Sequence, residues 1–390
     1  MIYMPMIPEA LFAMLACTRI GAIHSVVFGG FAAAELSNRF DDMQPKLIVT
    51  ASCGIEPKGA LNYTHMIDHA LHLSKAEQTK ILIVQRHEVM PVDNLNEHYY
   101  DYHHEMFKCE GRADPVFVEG EHPIYTIYTS GTTGQPKGIV RDTGGTVVAL
   151  NWSMDKIFDI HAGETFWAAS DIGWVLGHSY MIYGPLIRGA TTVMYEGKPI
   201  GTPDAGAFWR LVSEHKVKGM YVAPTAIRIL KQMDFKGEMI KKHDVSCLKM
   251  IHIAGERCDP DTIAWMADKF PGVFLNDNWW QTETGWPICS NYANLNKFPT
   301  KPGSCTKPTP GFDVRILGGD HDDHENFGKE METGQLGTVA IKLPMPPSFM
   351  LTLWNNDEFF KKYYLSEFPD YYCTGDAGMF DEDGYLHIMT

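Results

Sequence analysis

The sequence predicts an α/β fold with two doubly wound sheet subdomains plus a small β-rich, barrel-like subdomain. Strand-like and helix-like segments alternate over residues 1–90 and again over residues 191–276, which is typical of a parallel sheet with helices on both faces. From about Lys301 the chain changes to short β-branched segments separated by Pro and Gly. We therefore expect a first subdomain at residues 1–120, a second at 121–300 and a β-rich subdomain at 301–390.

The first subdomain begins with a short apolar strand at residues 1–4, followed by a helix that opens at Pro8. Its apolar positions Leu11, Phe12, Leu15 and Ile20 recur at helical spacing. Further predicted elements are strands at 24–28, 47–50 and 81–84, and helices at 32–42 and 65–73. Residues 91–120 show no periodicity and are expected to form a surface excursion.

The rest of the chain continues the same pattern. Predicted strands lie at 124–128, 191–195, 219–222, 248–253 and 273–276, and predicted helices at 204–215, 226–233 and 259–270. The β-rich part contains strands at 314–317 and 338–341. Since ligand loops of doubly wound sheets lie at the carboxyl ends of strands, the segments that follow these strands are the first places to look for a site.

Composition and charge exclude several classes of function. The 390 residues are 45% hydrophobic, and no apolar run approaches the roughly 18 residues that cross a bilayer. The formal net charge of −15 offers no global field for nucleic acid, so we expect no nucleic-acid partner and no membrane insertion. Eight cysteines without a C-x-x-C pattern predict reduced thiols.

A ten-residue segment at 129–138, Thr-Ser-Gly-Thr-Thr-Gly-Gln-Pro-Lys-Gly, follows the predicted strand at 124–128. Glycines and small hydroxyl side chains let backbone N–H groups approach an anion closely, and Lys137 adds a positive charge. The segment is not a Walker A loop, because that pattern requires Ser or Thr after the lysine and here Gly138 follows. We predict that it binds a polyphosphate.

This segment resembles the phosphate-binding signature of the adenylate-forming enzymes, which activate carboxylic acids with ATP. Three further segments stand in the order of that family, at 254–257, 277–285 and 374–376. The resemblance covers essentially the whole chain and is closest to the short-chain acyl-CoA synthetases, through segments such as 171–180 and 183–186. It implies the large N-terminal domain of such an enzyme.

The resemblance implies roles for individual residues. The ATP phosphates are expected at Thr129, Ser130, Gly131, Thr132, Thr133, Gly134 and Lys137. Adenine and ribose are expected at Gly255, Glu256, Arg257, Asp277, Asn278, Trp279, Trp280, Gln281, Thr282 and Asp376. Lys137, Thr282 and Glu283 are the expected catalytic residues, and Glu283 supplies a hard oxygen for Mg²⁺.

By the same resemblance, the acyl pocket is formed by Val175, Leu176, Ala254 and Trp280. Trp280 stands where a tryptophan closes the pocket in the acetate and propionate enzymes, and Ala254 replaces the valine of the acetate enzymes. The freed volume favours propionate over acetate. Coenzyme A is expected at Gly30, Glu56, Pro57, Lys58 and Gly59, although Lys58-Gly59 reverses the usual order of a basic residue after glycine.

The implied reaction has two steps: the carboxylate attacks the α-phosphorus of MgATP to give acyl-AMP and pyrophosphate, and the thiol of coenzyme A then displaces AMP. An acetate enzyme and a catalytically silent nucleotide-binding fragment are the alternatives. The family also has a segment before Met1 and, beyond Thr390, a hinge and a lysine-bearing lid domain, so we expect a fragment. Related sequences suggest the mitochondrial matrix, with the cytoplasm as alternative; the oligomeric state stays open.

Overall fold

Parallel sheets form the first two parts of the chain, as the alternating pattern predicts. In this computed structural model the described residues are 1–76, 79–129, 136–198, 203–319, 322 and 325–389. The predicted α/β class is confirmed, with parallel sheets in the first two parts of the chain and a curled antiparallel sheet in the last.

The first part of the chain builds a five-stranded parallel sheet. Its elements are β1 (Ile2–Tyr3), α1 (Pro8–Arg19), β2 (Val26–Val27), α2 (Ala33–Met43), β3 (Leu47–Ala51), β4 (Cys53–Glu56), β5 (Gly59–Asn62), α3 (Tyr63–Leu73), β6 (Lys80–Val84), β7 (Tyr99–Asp101) and α4 (Tyr102–Lys108). The strand order is β2-β1-β3-β6-β7, and each neighbouring pair is parallel. β4 and β5 form a separate antiparallel hairpin.

Two details of this region differ from the sequence prediction. Residues 91–120 are not only a surface excursion, because they contain α4 and the edge strand β7, which pairs with β6. In α1 the buried positions are Ala10 and Met14, whereas Phe12 is 54% exposed. The helix itself is confirmed, and the predicted positions Leu11 and Leu15 pack against the core, whereas Phe12 and Ile20 are exposed.

The second part of the chain builds a second five-stranded parallel sheet. Its elements are β8 (Pro123–Thr129), β9 (Lys137–Asp142), α5 (Thr143–Lys156), β10 (Thr165–Ala169), a π-helix (Gly177–Tyr183), α6 (Gly184–Ile187), β11 (Thr191–Thr192), α7 (Ala207–Glu214), β12 (Val217–Val222), α8 (Pro224–Met233), a 3₁₀ turn (Ile240–Lys242), β13 (Met250–Ile253), α9 (Pro260–Lys269) and β14 (Phe274–Asp277). The order β11-β10-β12-β13-β14 places β12 at the centre.

The segment predicted to bind polyphosphate joins two antiparallel strands rather than a strand and a helix. β8 pairs with β9 from Pro123 and Asp142 to Thr129 and Lys137, so the last two of these residues face each other across the hairpin. Periodicity did not separate β9 from the glycine-rich segment before it. Residues 130–135 lie outside the described residues.

The last part of the chain is antiparallel. Its elements are β15 (Cys289–Ser290), β16 (Lys307–Pro308), β17 (Asp313–Leu317), β18 (Gly337–Lys342), β19 (Thr352–Leu353), α10 (Asp357–Tyr364), β20 (Tyr371–Phe380) and β21 (Leu386–Ile388). The curled sheet has the order β17-β18-β20-β21. β19 is not part of this sheet and pairs with β9 instead. The third part of the chain therefore reaches back to the hairpin that carries Lys137.

Two predictions from composition can be compared with the described residues. Each of the eight cysteines is a free thiol. Within the described ranges, no helix combines the length and the apolar character that crossing a membrane would require.

Candidate active site

Two cavities meet beside the carboxyl ends of the second parallel sheet. The larger has a volume of about 710 Å³ and the smaller about 240 Å³. Gly255, Trp280 and Gln281 line both cavities, so they form a shared wall. Gly255 follows β13 and the other two follow β14, which is where ligand loops of doubly wound sheets lie.

The larger cavity brings together the four residues expected in the acyl pocket. Val175, Leu176, Ala254 and Trp280 all line it. Its lining also includes several aromatic side chains, and apolar atoms contribute most of its surface. Such a space suits the hydrocarbon part of an acid, and a cavity of this size has room for more than three carbons.

The ring of Trp280 is held at the border of the two cavities by a buried partner. Its Nε1–H donates to the Tyr221 hydroxyl at 2.7 Å, and its ring meets the Tyr180 ring edge-on, with centroids 5.6 Å apart. Tyr221 is fully buried in β12. Tyr221 was not predicted as a residue of the site, because no motif links it to a tryptophan 59 positions later.

The smaller cavity gathers residues expected to hold adenine and ribose. It is lined by Gly255, Glu256, Arg257, Asp277, Asn278, Trp279, Trp280, Gln281, Gly303, Cys305, Asp376 and Ile388. Asp376 accepts hydrogen bonds from Gln281 Nε2 at 2.7 Å and from Trp279 Nε1 at 3.2 Å. The predicted ribose carboxylate of the last sheet is thus tied to the segment after β14.

Gln281 is itself fixed on both sides of its amide. Its Nε2 also donates to the Thr374 carbonyl at 2.7 Å, and its Oε1 accepts from the Tyr372 hydroxyl at 2.8 Å. Because β20 supplies both partners, the side chain joins the segment after β14 to the curled sheet. These bonds assemble the smaller cavity from segments almost 100 positions apart.

Asp277 has a carboxyl group whose ionisation is disfavoured by burial. Burial raises its pKa to about 7, and a hydrogen bond from the Asn278 backbone offsets only part of this effect. A neutral or half-ionised carboxyl group can both donate and accept hydrogen bonds. It therefore suits an exocyclic amine or a ring nitrogen of a purine.

Glu256 borders the same cavity, but its carboxylate is already occupied. It accepts from the Thr225 backbone N–H at 2.7 Å and forms an ion pair with Arg228 Nη2, also at 2.7 Å. These interactions lower its pKa against the opposing effect of burial. Gly255 has φ +107°, which favours glycine there. The turn can thus present its backbone to a flat ligand.

Lys137 and Glu283 are connected through two adjacent tyrosines of α10. The Lys137 Nζ lies 4.1 Å from the Tyr363 ring centroid and 5.0 Å from that of Tyr364. The Tyr364 hydroxyl donates to Glu283 Oε1 at 2.7 Å. The two expected catalytic charges are therefore brought close together. The role of α10 in holding them was not predicted from the sequence.

Thr129 is the first residue of the polyphosphate segment and the last one described before residue 136. Its Oγ1 is buried and has no hydrogen-bond partner among the residues that the structure describes. A buried hydroxyl without a partner is costly, so a phosphate oxygen would satisfy it. Of the expected phosphate ligands, Ser130, Gly131, Thr132, Thr133 and Gly134 lie outside the described residues.

Arg141 is a second residue that the sequence analysis did not assign to the site. It is fully buried in β9, and its guanidinium donates to the backbone carbonyls of Thr282, Glu283 and Ser348, with 2.9 Å to Glu283. Gly285 has φ +77°, and a Cβ there would lie 2.8 Å from the Arg141 guanidinium carbon. Arg141 thus fixes the backbone beneath two expected catalytic residues.

The residues expected to hold coenzyme A line neither of the two cavities, but Gly30 and Glu56 line a smaller pocket whose residues Phe28, Asp171 and Lys198 also line the larger cavity. Glu56, Pro57, Lys58 and Gly59 form the end of the β4–β5 hairpin, and Gly30 is exposed on a separate turn. The link to the larger cavity is an ion pair of 3.4 Å between Glu56 and Lys198, because Lys198 lines that cavity. The geometry places this hairpin beside the cavity without showing what it holds.

A magnesium ion could be held at Glu283. Across the described ranges, no group of three or more His, Cys, Asp or Glu side chains is arranged to hold a metal. Mg²⁺ is commonly bound by one or two carboxylates together with substrate phosphates, so a single carboxylate near Thr129 and Lys137 fits this ion. When bound there, Mg²⁺ would neutralise phosphate charge.

Comparison with known proteins gives a consistent result. Acyl-CoA synthetase short-chain family member 3, mitochondrial, from Homo sapiens is 48% identical over 390 residues, and propionate–CoA ligase from Escherichia coli is 41% identical over 392. Each match covers 100% of this chain but only 56% and 60% of the relative. The chain thus spans just over half the length of the curated relatives it matches.

The fold is shared with a solved structure. Acetoacetyl-CoA synthetase from Streptomyces lividans superposes with a TM-score of 0.85 at 21% sequence identity, over 99% of this chain and 57% of that one. The sequence profile described as AMP-binding enzyme matches residues 1–346. The chain therefore belongs to the AMP-binding enzyme family.

Proposed function

We propose that the protein activates a short-chain carboxylic acid, propionate, with MgATP and transfers the acyl group to coenzyme A. The observation that carries this proposal is the wall shared by the two cavities at Gly255, Trp280 and Gln281. An acid in the apolar cavity and a nucleotide in the polar one would meet at this wall. Their reacting atoms, the carboxylate oxygen and the α-phosphorus, would be neighbours.

In the first half-reaction the carboxylate oxygen attacks the α-phosphorus, and the bond from this phosphorus to pyrophosphate breaks. The departing pyrophosphate gains negative charge, which Lys137 would stabilise. Thr129 would donate a hydrogen bond from its hydroxyl to a phosphate oxygen, and Glu283 would hold Mg²⁺ there. In the second half-reaction the sulfur of coenzyme A attacks the acyl carbon, AMP leaves, and the thiol proton passes to solvent.

The choice of propionate depends on Ala254 and on the names of relatives. Ala254 is buried and lines the larger cavity, where a valine would add about two methyl groups of volume. Burial of one extra methylene contributes about 0.8 kcal/mol, which is roughly fourfold. Discrimination on one methylene reaches at most about 10–200-fold, so the preference over acetate is limited. A propionate–CoA ligase is among the relatives, at 41% identity.

Two alternatives have specific support. Acetate activation is the first, because a single methylene gives only partial discrimination. Nucleotide binding without turnover is the second, because the matched relatives are much longer than the matched region. For location we propose the mitochondrial matrix, since several relatives carry "mitochondrial" in their names, with the cytoplasm as alternative.

The proposal is tested by acid-dependent exchange of labelled pyrophosphate into ATP, measured with propionate, with acetate and without acid. Faster exchange with propionate supports it, and faster exchange with acetate favours the first alternative. Calorimetric titration with AMP separates the second alternative, which predicts binding without exchange. Absence of both AMP binding and exchange would refute all three readings.

A further inference from the structure

We propose that Tyr221 is a positioning residue that fixes the indole of Trp280 and thereby limits the length of acid that the larger cavity accepts. The inference rests on the proposed function, since it concerns the same cavity. It adds a residue that no sequence motif of the site contains. Tyr221 acts through Trp280 and does not itself line either cavity.

Tyr221 is held rigidly in the core of the second sheet. It lies in β12, the central strand of the second sheet, and its side chain is fully buried. Its ring has close aromatic neighbours in Phe158, Tyr180 and His252, with centroid distances of 5.2, 5.5 and 5.9 Å. A ring packed on several sides inside a core cannot turn freely, so its hydroxyl oxygen is a fixed point.

The Tyr221 hydroxyl oxygen accepts the hydrogen bond of the Trp280 indole. An indole has one N–H donor and no acceptor, and here that donor is used on Tyr221 at 2.7 Å. Burial raises the pKa of Tyr221 well above its ordinary value, so the hydroxyl stays neutral at any pH at which the protein works. The contact therefore does not change with pH.

The position of the Trp280 indole determines the shape of the larger cavity beside it. Trp280 is only half-buried and borders both cavities, so part of its ring faces open space. Its remaining ring contacts with Tyr180 and Tyr221 leave rotation possible once the hydrogen bond is lost. A rotated indole would no longer bound the larger cavity on this side, which would leave more room for additional methylenes.

Trp279 shows by contrast that the two adjacent indoles are fixed from opposite sides. Its Nε1–H donates to Asp376 on the curled sheet, whereas that of Trp280 donates into the parallel sheet. Loss of the Tyr221 hydroxyl would therefore release one indole and leave the other in place.

The test uses Tyr221→Phe, which removes the hydroxyl and keeps the ring. A matched control is Tyr180→Phe, because Tyr180 is an equally buried neighbour whose hydroxyl donates to Ser153 Oγ at 2.9 Å and not to the indole. Both variants lose one buried hydrogen bond, at a similar expected cost to stability. Only the first removes the partner of Trp280.

Calorimetry would measure the binding of AMP, propyl-AMP and hexyl-AMP, which are alkyl esters that place a chain in the larger cavity without turnover. In the unaltered protein we expect propyl-AMP to bind more tightly than AMP or hexyl-AMP. In Tyr221→Phe the ratio of hexyl to propyl dissociation constants should fall about tenfold. In Tyr180→Phe the ratio should stay as in the unaltered protein.

A double-mutant cycle makes the test independent of general damage. In a Trp280→Phe background, which has no indole N–H, Tyr221→Phe should change the hexyl-to-propyl ratio no further. An unchanged ratio in the single Tyr221→Phe variant, or the same loss in both backgrounds, would overturn the inference alone. If the unaltered protein binds propyl-AMP no better than AMP, the proposed function fails and the inference fails with it.

Discussion

Ala254 is the smallest side chain among the four residues expected to contact the acid. It lies directly after β13 and is 4% exposed. Its place after a predicted strand follows from the sequence pattern, whereas its assignment to the acyl pocket came from the family resemblance. The volume beside it is a property of neighbouring elements, which only the structure describes.

We expect Ala254→Val to shift the preference from propionate toward acetate. Two added methyl groups occupy the space of the extra methylene, so kcat/KM for propionate should fall about tenfold relative to acetate. Steady-state assays with both acids measure the ratio. Because acetate needs less room, its own kcat/KM serves as the internal control, and an equal fall for both acids would contradict the prediction.

Asp277 gives a prediction about stability and pH. The folded protein holds its pKa at about 7, above the ordinary value of 3.8, because burial disfavours the charge. The unfolded chain releases this proton at lower pH than the folded one, so the free energy of unfolding decreases as pH rises through this interval. The stabilising effect of the protonated form is present below pH 3.8 and is lost above pH 7.

Replacing Asp277 by Asn removes this titration. Without nucleotide, the melting temperature of Asp277→Asn should exceed that of the unaltered protein by more at pH 8 than at pH 5. The underlying difference is on the order of 1 kcal/mol per pH unit. Scanning calorimetry at several pH values measures it, and a difference independent of pH would show that the carboxyl group is not buried as described.

Site residues that belong to recognisable motifs were predictable from sequence, whereas their hydrogen-bond partners were not. The motifs identified Trp280, Glu283 and Thr282, but the partners of these residues lie 59, 81 and 141 positions away. Tyr221, Tyr364 and Arg141 stand in strands or helices whose local pattern gives no sign of a site. Hydrogen bonds between distant segments are set by tertiary packing, which periodicity does not describe.

Among the elements, α10 has a disproportionate role for a helix of eight residues. Its last turn carries Tyr363 and Tyr364, which contact Lys137 and Glu283. The helix begins after Asn356, whose side chain accepts from the Phe359 backbone N–H at 3.3 Å. A short helix depends strongly on such a cap.

We expect Asn356→Ala to destabilise α10 by about 1 kcal/mol, which corresponds to about fivefold faster amide exchange over residues 357–364. The affinity for ATP should fall more than that for AMP, because Lys137 and Glu283 are expected at the outer phosphates. Hydrogen-exchange mass spectrometry and calorimetry measure the two effects. Asp101→Ala removes the equivalent cap of α4, on the first sheet, and should change neither nucleotide affinity.

Other elements show which secondary structures hydrophobic periodicity predicts and which it does not. The long alternating stretches predicted both parallel sheets, since buried strands and amphipathic helices differ clearly in pattern. The π-helix at residues 177–183 was not predicted, because all its residues are buried and it has no polar face. Its start is fixed by Gly177, where a Cβ would lie 2.2 Å from the Asp171 carbonyl oxygen.

At the scale of the whole molecule, two buried histidines join the first sheet to the second part of the chain. His24 follows α1 and His178 lies in the π-helix, and their rings stack with centroids 6.1 Å apart. His24 Nε2 shares a hydrogen bond of 2.9 Å with the Tyr183 hydroxyl. Burial lowers the pKa of both, that of His178 to about 4, with Arg141 adding to the shift at His178.

These histidines predict a loss of stability in acid. Above pH 6.5 both are neutral in the folded and the unfolded chain. Below it the unfolded chain binds protons first, so the free energy of unfolding falls by up to about 1.4 kcal/mol per pH unit for each histidine. The contribution of His178 is lost as pH falls from 6.5 to about 4.

His178→Gln should therefore flatten the fall in melting temperature between pH 7 and pH 5. His69→Gln, on the exposed face of α3, is the control and should leave that slope unchanged. Thermal denaturation at a series of pH values provides the measurement. The idea fails if the slope of His178→Gln matches that of the unaltered protein.

The pairing of β19 with β9 has a consequence for how the protein is made. A growing chain on the ribosome completes β8 and β9 long before Thr352 and Leu353 emerge, and Asp376 emerges later still. The nascent polypeptide therefore cannot complete the proposed nucleotide pocket until translation has passed almost the whole of this sequence. If the protein binds ATP as proposed, the nucleotide therefore cannot stabilise the early part of the chain while it folds.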